Sequence, residues 1–286
     1  MGKTTTVVNL ATYLALAGER VLVIDLDSQG NATSGFGLDK GSIGRSIYDA
    51  VVDAVELSEL AVTTPVERLA MVPASVALAG VDVELAPVAQ RERRLARLLE
   101  PIRDHYDYVF LDCPPSLGLM TVNALTAADA VFIPVQCEYY ALEGLTQLIA
   151  TINLVRDHLN PRLAIKGVVL TMFDGRTTLS ADVSAEVRRH LGRAVFDTVI
   201  PRNVRLSEAP SFGLPIALYS PESKGAEAYR LLAGELRRRD GRQTPAAPTP
   251  GPGLAHLAVR AHDLAPSRAA TRPAPDQAPA AAQEVA

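Results

Sequence analysis

The chain has 286 residues, 48% of them apolar and 21% charged, which is enough apolar content for a sizeable core and excludes wholesale disorder. No run approaches the roughly 18–20 apolar residues that span a bilayer, and the N-terminus carries no basic segment followed by an apolar stretch, so the sequence reads as cytoplasmic. The net charge of -4 averages two unlike parts, since residues 1–175 hold 13 Lys and Arg against 21 Asp and Glu while residues 176–240 hold 11 against 8. An acidic front therefore precedes a basic back with room for a localised anion-binding face.

In chain order, short apolar runs alternate with segments of helical period, the pattern of strand, helix, strand units around a parallel sheet. The expected elements are a helix over 4–17 closed by Gly18, strands over 21–25 and 69–73, a helix over 91–103, and a strand over 108–112. A helix over 119–127, a strand over 130–135, a helix over 142–159, a strand over 164–171, a helix over 179–191, a strand over 195–200 and a helix over 224–239 follow. The predicted fold class is α/β: a doubly wound, mostly parallel sheet with helices on both faces, a three-layer sandwich whose ligand sits at the carboxyl ends of the strands. Cys113 and Cys137 lie inside apolar runs, too few for a disulfide framework or a four-ligand zinc site, and read as reduced core thiols. From Gly241 the last 46 residues include 8 Pro and 14 Ala, a composition too poor in large apolar side chains to offset the entropy of ordering. The chain thus divides into a folded domain over 1–240 and a disordered Pro/Ala-rich tail over 241–286. Within that tail, 254–264 has the period of a short helix, but with Arg260 as its one fixed positive charge it lacks the basic, strongly apolar character of a membrane anchor.

The residues just past each strand carry the chemistry. Gly2-Lys3-Thr4-Thr5-Thr6 runs straight into a helix, placing a glycine, a lysine and hydroxyls where unpaired N–H groups and the helix dipole attract phosphate, as in the closing half of a P-loop. After the next strand comes Asp25-Leu26-Asp27-Ser28-Gln29-Gly30-Asn31, with Asp25 at the strand end and Asp27 reaching into the loop. The strand Tyr108–Asp112 ends in a carboxylate followed by Cys113-Pro114-Pro115-Ser116, as a Walker B strand does. Each signal alone has an ordinary structural reading as a cap or a stiffened loop. Their order, each at a strand end, points to a nucleotide-phosphate site.

With these residues in place the chain resembles the ParA/Soj family of partition ATPases, the deviant Walker A branch of P-loop proteins that also includes MinD and the nitrogenase iron protein. The likeness runs over residues 1–239. Beyond the motifs above it is carried by Glu138-Tyr139-Tyr140-Ala141-Leu142-Glu143-Gly144, Thr171-Met172-Phe173-Asp174-Gly175-Arg176-Thr177, Ile200-Pro201-Arg202-Asn203-Val204-Arg205 and Ser207-Glu208-Ala209-Pro210-Ser211-Phe212-Gly213. Ser28 stands where the family usually has proline. The resemblance implies ATP and Mg2+ as cofactors: Gly2 to Thr5 hold the β-phosphate region, Lys3 bridges the β- and γ-phosphates, Thr4 ligates Mg2+ and Thr5 reaches the α-phosphate. Asp27 orients the attacking water and contributes with Asp112 to the Mg2+ site, partly through water. Met172, Pro201 and Asn203 sit where the family cradles adenine. The partners implied are an ATP-dependent homodimer, non-specific DNA held by Arg202, Arg205 and Lys224 among the basic residues after 175, and a ParB-like DNA-binding adaptor, with no membrane involved. The Arg237–Arg239 run reads either as a further phosphate contact or as a solvated helix end complementing the dipole.

The family's loop begins Lys-Gly-Gly-Val-Gly-Lys-Thr-Thr after a buried strand, and this chain begins at Met1 in the slot of that valine. The first strand and the signature lysine are therefore expected to be missing from the chain. A central strand inserts about five apolar side chains at roughly 1.5–3 kcal/mol each, a sum comparable with the roughly 5–15 kcal/mol stability of a whole domain. A misassigned start is the expectation, with an upstream frame encoding that strand and Lys-Gly-Gly. A MinD-like membrane regulator would need a C-terminal basic amphipathic helix, and an iron–sulfur carrier a second placed cysteine beside Cys113. A ParA-like ATPase that positions other cargo shares the same chemistry and stays open.

Overall fold

The structure is a computed structural model that describes residues 2–139 and 141–242. The expected tail falls outside these residues from 243 onward, as does the short helix expected at 254–264. Seven strands are described: β1 (Val21–Asp25), β2 (Val62–Thr63), β3 (Leu69–Val72), β4 (Tyr108–Asp112), β5 (Ala130–Gln136), β6 (Ala164–Phe173) and β7 (Val195–Pro201). The α-helices are α1 (Lys3–Leu16), α2 (Asn31–Gly35), α3 (Ile47–Asp53), α4 (Leu57–Leu60), α5 (Val81–Glu84), α6 (Arg94–Leu99) and α7 (Leu119–Ala127). They continue with α8 (Ala141–His158), α9 (Thr178–Leu191), α10 (Val204–Glu208), α11 (Ile216–Tyr219) and α12 (Lys224–Arg239).

Every strand pair is parallel except β2 with β3. Alternation along β1 supplies both faces of the sheet. Val21 and Val23 enter a core with α1 and α12, while Leu22 and Ile24 enter a second core with α3 to α7. A third core lies around β5, β6, α8 and α9. This is the expected doubly wound α/β arrangement, but its hydrogen bonding falls into two sections, ordered β2-β3-β1-β4 and β5-β6-β7. Among the described residues no strand joins β4 to β5, and α1 packs on β1, β4 and β5 together. The outer edge of β7 is blunted by the Glu235 carboxylate, which accepts from the N–H groups of Asp197 and Thr198 at 2.8 and 2.9 Å.

The expected helix over 91–103 is a correction: only Arg94–Leu99 is α-helical, flanked by single 3-10 turns at Arg91–Arg93 and Arg103–His105. Pro101 accounts for the break at the C-terminal end, because it has no N–H to donate to the ladder, even though Glu100 before it keeps helical backbone angles. Order continues through Arg242, whose guanidinium pairs with Glu19 and lies 3.5 Å from Asp107. No helix among the described residues is long and apolar enough to cross a membrane.

Candidate functional site

The helix α1 opens on Gly2 at φ 91°, with no side-chain cap and no acidic residue in its first turn. Its first N–H groups therefore lack capping partners at the carboxyl ends of the strands, the arrangement that accepts an anion. Gly2 is needed because L-residues rarely adopt its backbone angle; a Cβ there would make only ordinary contact with Thr171 Oγ1 at the end of β6. The helix is anchored from below. Asn9 donates to the Thr5 carbonyl at 2.8 Å and accepts from the Ile216 N–H at 2.7 Å, and the Thr6 hydroxyl meets Tyr229 Oη at 3.2 Å. Lys3 donates to the Pro114 carbonyl at 3.2 Å, so its amine lies over the loop that follows β4.

The parallel pairing of β1 with β4 sets Asp25 directly beside Asp112. Both are buried, but their surroundings differ. Asp25 accepts from the Asp27 N–H (3.1 Å), the Thr33 N–H (2.8 Å) and the Thr33 hydroxyl (2.8 Å). Burial raises its pKa while these bonds oppose the rise. Neither carboxylate oxygen of Asp112 has a well-formed hydrogen bond. Burial, then the neighbouring Asp25 charge, push its pKa up to about 7, and the Thr4 hydroxyl and the Lys3 charge lie close enough only to temper the rise. A buried carboxylate without a well-placed donor is uncommon and is a stored cost, relieved when a cation or its water shell arrives. Asp27, also buried, accepts from the Gln29 N–H at 3.0 Å through Oδ1, and its carbonyl accepts from the Gly30 N–H at 2.8 Å, so the loop closes as a tight turn.

Among the described residues no group of three or more His, Cys, Asp and Glu side chains could hold a metal alone. The oxygen donors of Thr4, Asp27 and Asp112 suit instead a hard cation that keeps water and phosphate ligands, as Mg2+ does. Cys113 is half-buried with its thiol pushed up to about 12 by desolvation, and burial raises the buried Cys137 to about 11, as inert thiols require.

Along the site, Phe173 of β6 pairs with Pro201 of β7, and the Arg202 N–H donates to the Phe173 carbonyl at 2.9 Å, which brings the segments of Met172, Pro201 and Asn203 together. Met172 holds φ 54°, a strained backbone angle of the kind found at ligand sites. Asn203 Oδ1 caps α10 by accepting from the Arg205 N–H at 2.9 Å, leaving its amide NH2 as the group free to meet a base.

The basic residues divide. Arg202 and Arg205 are exposed and pair with Glu138 (3.4 Å) and Glu208 (2.8 Å), and exposed pairs of this kind contribute about 0–1 kcal/mol, weak enough for a phosphate to displace. Lys224 is exposed at the start of α12, beside a cavity of about 680 Å3 lined also by Phe173, Pro201 and Leu231. The readings of the Arg237–Arg239 run need correction at two of its three residues, while Arg238 is exposed at the end of α12 as both have it. Arg237 is buried against Glu19 at 2.8 Å, and Arg239 stacks over Phe196 while donating to Glu235 and the Val195 carbonyl. A long aliphatic stem next to apolar strands lets arginine serve as a buried clamp, which charge counting along the chain cannot register.

One contributor escaped the sequence reading: Thr33 lies eight residues from Asp25, with no local signal linking them. Gly213, legible only as the end of a family segment, meets Gly37 so closely that a Cβ on it would stand 2.8 Å from Gly37 Cα.

Comparisons with known proteins follow the same lines. The family model described as AAA domain matches residues 1–165. The sporulation initiation inhibitor protein Soj of Bacillus subtilis is 56% identical over 236 residues, covering 82% of this chain and 93% of Soj. The chain belongs to the ParA/Soj family of P-loop ATPases. The chromosome partitioning protein ParA of Caulobacter vibrioides is 53% identical over 251 residues, 86% of this chain and 94% of its own. Among solved structures, cobyrinic acid a,c-diamide synthase from Mycobacterium smegmatis with bound ATP analog and magnesium aligns at TM-score 0.73 and 37% identity, over 86% of this chain and 93% of that one. Membership of the ParA/Soj family and the P-loop fold account together for the parallel sheet and for a site at its carboxyl edge.

Proposed function

We propose that this protein is a partition ATPase that dimerises with ATP, binds nucleoid DNA without sequence preference in that state, and moves chromosome or plasmid DNA with a ParB-like adaptor. The observation that carries the ATP part is Asp112, a buried carboxylate with no well-formed hydrogen bond beside the uncapped start of α1, in a chain 56% identical to Soj. The working unit is the domain over 1–240, at the nucleoid in the cytoplasm, with 241–286 as its tail.

In this reading the N–H groups of Gly2 to Thr5 bind the β-phosphate region, and Lys3 leaves the Pro114 carbonyl to bridge the β- and γ-phosphates. Thr4 and Asp112 would hold Mg2+, Asp112 through water, with Asp27 at its edge. Bound there, Mg2+ neutralises charge on the phosphates during transfer. Asp27 orients the attacking water through Oδ2, since Oδ1 is engaged by Gln29. Met172 and Pro201 offer apolar contact to adenine and Asn203 a donor. Arg202, Arg205 and Lys224 contact DNA phosphates, and dimerisation doubles that charge on one face.

ATP hydrolysis and DNA co-sedimentation test the reading together. Binding to random-sequence DNA is expected with ATP and Mg2+, absent with ADP, and steeply weakened by salt. A flat salt response rejects the phosphate contacts, and no turnover by the purified chain, with or without DNA and a ParB-like protein, rejects the enzyme.

A further inference from the structure

We propose that Thr33 is the residue that positions Asp27, through a hydrogen-bond relay running from the loop after β3 across Thr33 and Asp25 to the Asp27 backbone. The inference rests on the reading of the site as an ATP-hydrolysing one. The Thr33 hydroxyl is wholly buried and uses both of its roles, donating to Asp25 Oδ2 at 2.8 Å and accepting from the Ala74 N–H at 3.0 Å. The Thr33 N–H donates to the same carboxylate oxygen at 2.8 Å, and the other oxygen accepts from the Asp27 N–H at 3.1 Å. Asp25 is itself fully buried, so no solvent stands in for a missing partner.

The loop needs this root. Its own bonds, Gln29 N–H to Asp27 Oδ1 and Gly30 N–H to the Asp27 carbonyl, shape the turn, and the Leu26 N–H ties its start to the Asp112 carbonyl of β4 at 2.9 Å, but the Asp27 N–H itself is held only by the Asp25 carboxylate. The helix α2, which carries Thr33, is five residues long and too short to hold its own direction. Asp27 is therefore registered to the strands through Leu26 and through the Asp25 carboxylate, and the orientation of that carboxylate is set by Thr33. A displacement near 1 Å at a reacting group lowers a rate about 100-fold, so partial loosening of this root is expected to lower turnover about tenfold.

The variants Thr33→Val, which keeps the shape and loses both hydrogen-bonding roles, and Thr33→Ser, which keeps them, separate positioning from packing. Two measurements apply to each purified full chain: kcat and KM for Mg-ATP, and amide hydrogen exchange of the segments 25–35 and 72–76 without nucleotide. The valine variant is expected to show kcat about tenfold lower with KM within about twofold, and faster exchange confined to those segments. The serine variant is expected to match the wild type in both. A valine variant with wild-type kcat, a loss confined to KM, or a serine variant as impaired as the valine one overturns the proposal. Should the valine variant unfold, Asp25→Asn and Thr33→Ser carry the test: the asparagine variant must lose turnover about tenfold and the serine variant must not, and any other result overturns it. If the wild type hydrolyses no ATP, the functional reading fails, while the exchange comparison still decides whether the relay holds the loop.

Discussion

At the amino-terminal ends of the strands, Glu19 accepts from Arg237 at 2.8 Å and from Arg242, Asp107 takes three hydrogen bonds from Arg20, and Asp240 accepts from Tyr108 at 2.8 Å while pairing with Lys166. At the opposite ends, Asp25, Asp27 and Asp112 crowd together, and the nearby Lys3 spends its amine on a carbonyl. The first cluster satisfies its charges and ties the section of β4 to that of β6 across the place where no described strand joins them. The second leaves Asp112 without a well-formed hydrogen bond. Their pKa values move oppositely: hydrogen bonds from Arg20 hold Asp107 down at about 2, and burial lifts Asp112 to about 7. Charge that holds the fold is paired within the chain. Charge reserved for a ligand stays unpaired, and the fold carries the cost until the ligand binds.

Breaking the paired end is expected to have the largest destabilising effect. Arg237→Ala removes the buried partner of Glu19, leaving it only the half-exposed Arg242, and should cost about 3 kcal/mol in chemical unfolding, the low end for a broken buried pair. ATP turnover should be unchanged at temperatures where the variant is folded. Neutralising the unpaired end should act in the opposite direction. Asp112 keeps its proton more tightly folded than unfolded, so its contribution to stability falls as pH rises from about 4 to about 7 and stays low above that. Asp112→Asn is therefore expected to stabilise the nucleotide-free protein at pH 8 by on the order of 2–4 kcal/mol, with the gain shrinking toward pH 4, while ATP turnover is lost. Equal unfolding midpoints for the two proteins at both pH values would remove the contrast between the two ends.

Asp27→Ala sharpens the comparison within the active end. Loss of one oriented group in the transition state should lower kcat about 100-fold, near 2.7 kcal/mol, while ATP binding measured by calorimetry persists. The smallest effect belongs to the exposed arginines. Arg205→Ala removes a single phosphate contact and a weak pair with Glu208, so DNA affinity should fall only several-fold and the slope of its salt dependence by about one. A base-sequence-dependent loss instead would show that Arg205 reads bases.

Strands were the most legible part of the fold. The runs at 21–25 and 108–112 match β1 and β4 to the residue, because both read as apolar stretches closed by an Asp, although β1 is buried throughout and β4 fully only at Asp112. The two-residue β2, wholly exposed, carries no such pattern. The helix α3 went unread although its capping box, Ser46 with Asp49, stands in the sequence, because seven residues are too few for periodicity to show. At the site, Gly2 to Thr5, Asp27 and Asp112 were visible as phosphate-chemistry residues at strand ends. Asp25 was visible only as the strand-end residue before Asp27, and Thr33 not at all, since its meaning depends on a carboxylate eight residues away and an N–H from the loop after β3.

The order of elements, the parallel α/β class and the residue types at the strand ends were thus determined by local pattern alone, because period and strand termini are properties of short segments. Which charges are paired was decided by tertiary structure. Three arginines in a row at 237–239 are alike in sequence, yet α12 buries Arg237 on Glu19 and lays Arg239 over Phe196. Asp25 and Asp112 are likewise similar strand-end carboxylates, yet the register of β1 with β4 and the docking of α2 give Asp25 three hydrogen bonds and Asp112 none that is well formed. Pairing depends on which distant groups the packed elements deliver within hydrogen-bond distance, and no window along the chain contains both partners.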